Sequence, residues 1–418
     1  MTRTSPIRVV LAGWYGAANF GDEMLLATIA GWVREAGGVP VAISVHPDYT
    51  RDASGIAAVG FADLAQIVEA MIDADLFVLG GGGLFQDYDR LDDASMARFP
   101  ALDATRYAQY FHLARQLGLP TVTLAQGVGP LRSGASRAVA AEVFRSADRV
   151  SVRDAPSAEL LSAIGVARTV PVAPDPAWAY PAGPASTDLA ALFPELRGRK
   201  VLGINLRQWP FDAAWESEFA AAFHVPDDWA SVWIDFQRAP SPDGTKLQAD
   251  EIASRMVARL AGRGVHVAFN PPRMDEALAA LASCDAVVAM RYHGVLAAHC
   301  AGKPVVAVEY DSKVSALGDT LGVSGDVRIG LSEIRTRLAR AISSVTGPER
   351  LHYVVPASAV ASLAESALVH RRILTDAMDR SAHEQRDRTH SVPPLLSQWL
   401  EGDTSLGPAL ARTLAARR

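Results

Sequence analysis

Short apolar runs alternate with longer amphipathic stretches in two successive series along most of the chain. Runs rich in Val, Leu and Ile, bounded by glycines, prolines or charged clusters and separated by helical periodicity, predict parallel sheets covered by helices. In the first series the expected strands are 8–13, 39–45, 76–80, 121–125 and 149–152, with helices near 22–34, 62–72, 104–117, 136–146 and 155–164. The alternation lapses in the proline- and alanine-rich stretch "DPAWAYPAGPASTDLAALFPELRGRK" and then resumes. The second series predicts strands at 201–206, 232–236, 265–269, 286–290 and 305–308, and helices near 247–262, 273–282, 294–301, 314–321 and 332–345. The expected fold is α/β, with two Rossmann-like domains facing across a cleft. The expected boundaries are 1–175 for the first domain, 176–200 for a linker and 201–346 for the second domain. An extension at 347–418 reads as a helix followed by a mobile or partner-dependent tail.

Chemistry gathers where the apolar runs stop. In open parallel sheets, ligands bind beyond the carboxyl ends of the strands. The stretch "MRYHGVLAAHCAGKPVVAVEYDSKV" puts Arg291, Tyr292 and His293 after one strand and Asp311, Ser312 and Lys313 after the next. An Ala-rich helix closed by Gly302 lies between them. His293 opens that helix, whose amino-terminal dipole favours anions nearby. An arginine beside it at a strand end points to a functional histidine, whereas His299, inside the helix, reads as structural. In "RVSVRDAPSAELLSAIGV", Arg153 and Asp154 leave a strand directly before a helix. Either Asp154 caps the helix while Arg153 is aimed at the cleft, or the two form a surface ion pair that contributes little. The glycines Gly80 to Gly83 in "LFVLGGGGLFQD", and Gly127 and Gly129 in "TLAQGVGPL", either let the main chain approach a ligand or serve tight packing. The run at Gly80 to Gly83 fits neither the dinucleotide fingerprint nor the phosphate loop.

Composition narrows the partners. The chain has 418 residues, 49% of them hydrophobic, ample for two cores. A formal net charge of −6, with no clustered positive field, argues against nucleic acid. No secretory signal precedes the first apolar run and no apolar stretch reaches the length of a membrane span, so a cytoplasmic protein is expected. Cys284 and Cys300 sit among small apolar residues and read as buried thiols rather than a disulfide or metal pair. No metal site is expected. Of the 40 basic residues, only Lys200, Lys246, Lys303 and Lys313 are lysines, so a lysine at a strand end stands out from an arginine background.

Taken in order, "GWYGAANFGDE", "GGGGLFQD", "AQGVGPL", "SVRD", "MRYHGVLAA" and "VEYDSKV" resemble the polysaccharide pyruvyltransferase family, and within it the bacterial cell-wall polymer pyruvyltransferases, over most of residues 7–325. The resemblance implies a fold like that of the two-domain B-type glycosyltransferases. It also implies transfer of a carboxyethylidene (pyruvyl) group from phosphoenolpyruvate to two hydroxyls of one sugar, forming a cyclic ketal and releasing phosphate. The sugar would belong to a polysaccharide or its lipid-linked precursor. Phosphoenolpyruvate carries a phosphate and a carboxylate at opposite ends of a small frame, so its site needs several fixed cations. The resemblance carries donor-binding and catalytic roles onto Arg153, His293 and Lys313, with Arg291 as a further donor-binding cation and His293 as the acid/base. Asp22, Glu23 and Asp87 are candidate carboxylates of the facing domain for deprotonating the acceptor, with helix capping and loop fixation as alternative roles. Asn19, Gln126, Gly81, Gly82 and Gly83 complete the expected substrate-binding positions. No cofactor is expected beyond the donor substrate. A lipid-linked acceptor would bring the protein transiently to the inner membrane face, where the basic end "ARTLAARR" offers one contact. Two other readings compete. A B-type glycosyltransferase using a nucleotide sugar would need an acidic residue for the ribose hydroxyls, and only Glu309 is placed for that. A noncatalytic sugar-phosphate binding protein would leave the Arg291 and His293 pair without a reason.

Overall fold

The structure, a computed structural model, describes residues 6–87, 105–180, 186–209, 214–237 and 251–383. Residues 181–185 of the expected linker, 247–250 of an expected helix and everything beyond 383, including the basic end, lie outside the described residues. Among the described residues there are two parallel six-stranded sheets. The first contains β1 (Arg8–Ala12), β2 (Val39–Ser44), β3 (Ala57–Gly60), β4 (Leu76–Phe85), β5 (Thr121–Val128) and β6 (Arg149–Val152), in the order β3-β2-β1-β4-β5-β6. The second contains β7 (Lys200–Asn205), β8 (Trp229–Ile234), β9 (His266–Phe269), β10 (Ala286–Ala289), β11 (Val305–Glu309) and β12 (Arg328–Gly330), in the order β12-β11-β10-β7-β8-β9. The central strands are continuous apolar runs because helices cover both of their faces. In the first sheet Val10, Phe77 and Leu79 pack with Phe111 and Phe144 on one face, and Val9, Leu11 and Val78 pack with Ile29 and Val33 on the other. In the second, Leu202, Trp233 and Val288 pack with Trp215, Phe219 and Leu338.

The edge strands β3 and β12 have no counterpart in the sequence reading, because "AAVG" and "RIG" are too short and too weakly apolar to show a period. The strands β4 and β5 run past their expected ends at 80 and 125, so Gly80 to Gly83 and Gly127 lie within the sheet, while Gly129 follows β5. The chain forms two compact units that do not follow chain order strictly. The described residues up to Gly16, Leu25–Tyr180 and those from Glu365 on form the first, and Ala17–Met24 with the described residues through Ala364 form the second. Residues 17–24 join the second unit because Phe20 N donates to Phe236 O at 2.9 Å and the two rings pack at 5.9 Å. The helix Ala357–His383 joins the first unit in its later turns because Leu374, Ala377 and Met378 enter the core beside Val9 and Leu11. Burying one such leucine or methionine contributes about 1.5–3 kcal/mol.

Candidate active site

In the second sheet the strand order reverses between β7 and β10, and the carboxyl ends of those strands flank the switch point where open sheets bind ligands. Beyond β10, Met290 N donates to Asn205 O at 2.7 Å, and Arg291 then takes the N-cap position of the helix Tyr292–Cys300 in an extended conformation. His293 is thereby placed in the first helical turn. Arg291 is buried, and its Nη2 donates to Gln237 Oε1 at 3.1 Å. Gln237 in turn bridges to Asn19, so the first turn of the helix Phe20–Glu35 is held at the end of β8. Gly21 then lies against the imidazole: a Cβ at this position would fall 2.1 Å from His293 Nδ1 and 2.6 Å from its Cγ. Only a residue without a side chain lets the helix start and the ring meet. Asp22 and Glu23 follow in the same turn, the former half-buried and the latter buried. The two carboxylates expected in the facing domain thus belong to the same unit as Arg291 and His293.

The neighbouring strand end carries a second cationic group. Asp311 caps the helix Ser312–Leu321 by accepting from Lys313 N at 3.0 Å, and its other oxygen stands 3.7 Å from Lys313 Nζ. Lys313 Nζ lies 5.4 Å from the centroid of the Tyr310 ring, and Arg207 Cζ lies 5.0 Å from the same ring. Arg207 Nη1 also donates to the Tyr310 hydroxyl at 2.9 Å. Burial pushes this phenol up, but Lys313 and Arg207 together outweigh it and hold it below the ordinary tyrosine range. The sequence reading missed Arg207 and Gln237. Their signal was position alone, just past β7 and β8 at the switch-point edge of the sheet.

In the first sheet the order reverses between β1 and β4. Gly81 and Gly82 have φ of 66° and 94°, a conformation that side chains resist, and the pairing between β4 and β5 shifts just beyond them, between Gly82 and Phe85. Arg153, just past β6, lies across Gly127, where a Cβ would fall 2.6 Å from its Nε. Its Nη1 donates to Asp175 Oδ2 at 2.9 Å, the arginine being 8% exposed and the aspartate 0%. Asp154 stands 3.7 Å from Arg153 Nε, and its Oδ1 caps the helix Ala155–Ala163 through Ser157 N at 2.8 Å. The ion pair considered for Arg153 and Asp154 is thus present, with the arginine buried rather than on the surface, and a second, fully buried pair with Asp175 joins it. The reason is nonlocal. Val152 N donates to Pro171 O at 3.0 Å and Ala173 N to Val152 O at 3.1 Å, so a segment read as the approach to a linker runs beside β6 and delivers Asp175. Removing one partner of such a buried pair costs about 3–5 kcal/mol. Gln126 is fully buried and its Nε2 donates to Leu79 O at 2.9 Å, tying β5 to β4, while its Oε1 has no hydrogen-bond partner among the described residues.

Asp87 stands apart from this group. It accepts from Arg132 N at 2.7 Å, Ser133 N at 2.8 Å and Ser136 Oγ at 2.6 Å, at the start of the helix Gly134–Ser146. Burial pushes its carboxyl up, but these bonds outweigh it and hold it below the ordinary carboxylate range. Loop fixation, not proton abstraction, is what this geometry suits.

His299 keeps its structural role. It is 2% exposed, neither ring nitrogen has a hydrogen-bond partner among the described residues, and burial pushes its pKa down to about 4. In the unfolded chain the imidazole titrates near 6.5, so the unfolded state takes up the proton first as pH falls. Stability linked to this group is complete above that value and is lost progressively down to the folded value. His299→Leu is expected to raise stability at about pH 5 by roughly 2 kcal/mol more than at neutral pH, measured by urea unfolding. An unchanged pH dependence would contradict this. Cys284 is buried as expected, but Cys300, at the last residue of its helix, is exposed. Among the described residues no three or more His, Cys, Asp or Glu are grouped to hold a metal, and no helix is long and apolar enough to cross a membrane.

Comparison with known proteins places these groups in context. The profile of a family described as polysaccharide pyruvyl transferase matches residues 19–312, a span that contains Asn19, Arg153, Arg291 and His293 and ends one residue before Lys313. No curated protein matches the sequence. Among solved structures, HepE from Anabaena in complex with UDP-glucose is similar with a TM-score of 0.58 at 15% identity, covering 90% of this chain and 100% of its own. A putative UDP-N-acetylglucosamine 2-epimerase from Listeria monocytogenes gives 0.57 at 12%, covering 92% and 98%. MnaA from S. aureus with UDP gives 0.57 at 11%, covering 88% and 95%. At such identities the likeness shows the fold alone, that of the B-type glycosyltransferases.

Proposed function

This chain belongs to the polysaccharide pyruvyl transferase family, and on that premise we propose that it transfers a carboxyethylidene group from phosphoenolpyruvate to two hydroxyls of one sugar, on a polysaccharide or its lipid-linked precursor. The family match over residues 19–312 carries this reading. The arrangement of the second unit supports it, because an imidazole adjoins a buried arginine at the switch point and a lysine stands at the next strand end.

The reaction begins with a proton delivered to the methylene carbon of the donor, which leaves positive charge on the enol carbon. One sugar hydroxyl adds there and loses its proton. Departure of phosphate regenerates the cationic centre, and the second hydroxyl closes the ketal and gives up its own proton. Overall, donor and diol become ketal and inorganic phosphate. We assign the first proton to His293, on the geometry of its contact with Gly21. Asp22 or Glu23, in the same helical turn as Gly21, is assigned to the acceptor hydroxyl, and Arg291 and Lys313, in the same unit, to the anionic ends of the donor. Arg153, in the first unit, is assigned the donor-binding role that the family resemblance implies. Asp87 is left out of the chemistry.

A nucleotide-sugar glycosyltransferase is the second reading, favoured by relatives in fold solved with UDP or UDP-glucose. Glu309, the acidic residue considered for ribose hydroxyls, instead accepts from Arg328 Nε at 2.5 Å and Ser315 Oγ at 2.9 Å. The deciding experiment incubates the protein with the polysaccharide fraction of its host cell, stripped of ketals by mild acid. Release of inorganic phosphate from phosphoenolpyruvate supports the proposal, and release of nucleoside diphosphate from a nucleotide sugar overturns it.

Two further outcomes are expected of the same assay. Because cationic side chains compensate the donor's charge, activity should survive exhaustive chelation, and a full loss restored by a divalent ion would contradict this. Gly21→Ala should push the His293 ring aside and lower turnover about 10-fold, with no further effect when combined with His293→Gln. Additive losses would mean that Gly21 acts on something other than His293.

A further inference from the structure

We propose that His370, on the helix Ala357–His383 beyond the family match, is a positioning residue that fixes Arg153 by holding Asp175 in place; its catalytic consequence rests on the donor-binding role assigned to Arg153 above. His370 is fully buried between two chain segments, with Nε2 3.0 Å from Ala173 O and Nδ1 2.9 Å from Ser151 Oγ. A carbonyl oxygen only accepts, so Nε2 carries the proton, and in a neutral ring Nδ1 accepts from the Ser151 hydroxyl. Burial holds the imidazole below its ordinary range even though the Ala173 carbonyl and the Asp175 charge act the other way, so the ring is neutral.

Both partners of the ring lead to Arg153. Ala173 lies two residues before Asp175, whose Oδ2 takes the arginine at 2.9 Å and whose Oδ1 accepts from Ala177 N at 3.0 Å. The orientation of that carboxylate therefore follows the path of residues 173–177. Ser151 lies two residues before Arg153, and its Oγ accepts from Ala125 N at 3.0 Å. Ala125 has φ of 53°, a conformation costly for a residue with a side chain, and the next residue, Gln126, accepts Arg153 N at 3.1 Å. One ring thus ties the segment that supplies the carboxylate to the strand that supplies the arginine. Its own place is set by Leu374 and Met378, one and two helical turns further on, in the core of the first unit.

The test compares His370→Leu with His370→Gln, since glutamine can still donate to Ala173 O and leucine cannot. The first readout needs no substrate. Solvent exchange of the Arg153 Nε–H, assigned by its loss in Arg153→Lys, should quicken about tenfold in the leucine variant and stay within about threefold of wild type in the glutamine variant. The second is kinetic: the KM for phosphoenolpyruvate should rise about tenfold in the leucine variant with kcat within about threefold. Wild-type exchange in a folded His370→Leu protein overturns the inference, and so does an equal loss of protection in both variants, which would make the ring mere packing. If His370→Leu does not fold, Ser151→Ala carries the comparison, faster exchange supporting the inference and unchanged exchange overturning it. A protein that consumes no phosphoenolpyruvate would overturn the functional reading and leave the exchange result standing.

Discussion

His293→Gln is expected to lower kcat by roughly 100-fold or more while leaving the affinity for phosphoenolpyruvate close to that of wild type. Glutamine keeps a hydrogen-bonding head of similar reach, so contacts that only hold the donor survive. It cannot deliver a proton, so the barrier to forming the cationic centre rises by about 2.7 kcal/mol. The surroundings of the residue support this division. Its ring rests on Gly21, the Asp22 and Glu23 carboxylates lie in the same helical turn, and Arg291 is fixed through Gln237. Steady-state kinetics across pH provide the check. A glutamine variant with near-normal turnover and an unchanged pH profile would remove His293 from proton transfer and leave Asp22 or Glu23 to supply it.

Lys313→Arg should also be seriously impaired although it keeps the charge, losing on the order of 2 kcal/mol of transition-state stabilisation. Lysine presents a compact ammonium that suits one end of the donor, whereas the planar fork of arginine needs a different approach. The structure adds a steric reason. The ammonium sits over the Tyr310 ring at 5.4 Å, and a guanidinium from Arg207 already occupies the same ring at 5.0 Å. A second guanidinium would compete for that aromatic surface and for the space beside it. The measurement is kinetics with varied phosphoenolpyruvate on a variant shown to be folded. Near-normal turnover and donor affinity would make Lys313 a surface cation and leave Arg291 as the donor-binding cation assigned in this unit.

Features visible in the sequence were those that depend on local pattern. Central strands announce themselves as unbroken apolar runs, and the charged clusters after β6, β10 and β11 are legible because a buried strand can turn polar only where it leaves the sheet. Contacts between segments distant in sequence were not legible. Arg153 pairs with its chain neighbour Asp154, as local pattern allows, but also with Asp175, which stands at the opening of a proline-rich stretch. The turn at 17–24 reads as part of the first domain, and nothing local reveals that Phe20 bonds to Phe236. Gly127 is open in the sequence to ligand approach or to tight packing, and the close approach it permits is to the Arg153 side chain. Asp87 shows the opposite case. Its loop-fixing role was one of the two open to it, and only the three donors around its carboxylate separate them.

In the proposed reaction, one carbon of phosphoenolpyruvate becomes bonded to two oxygens of a single sugar. The most direct measurement is NMR of the product formed from donor labelled with carbon-13 at its enol carbon, with the reaction run in deuterated water. The account anticipates a quaternary ketal carbon coupled to no phosphorus, correlated with protons on two carbons of one sugar ring, and a methyl group holding one solvent-derived deuteron. Label remaining in phosphoenolpyruvate while the acceptor gains a second sugar from a nucleotide sugar would contradict it.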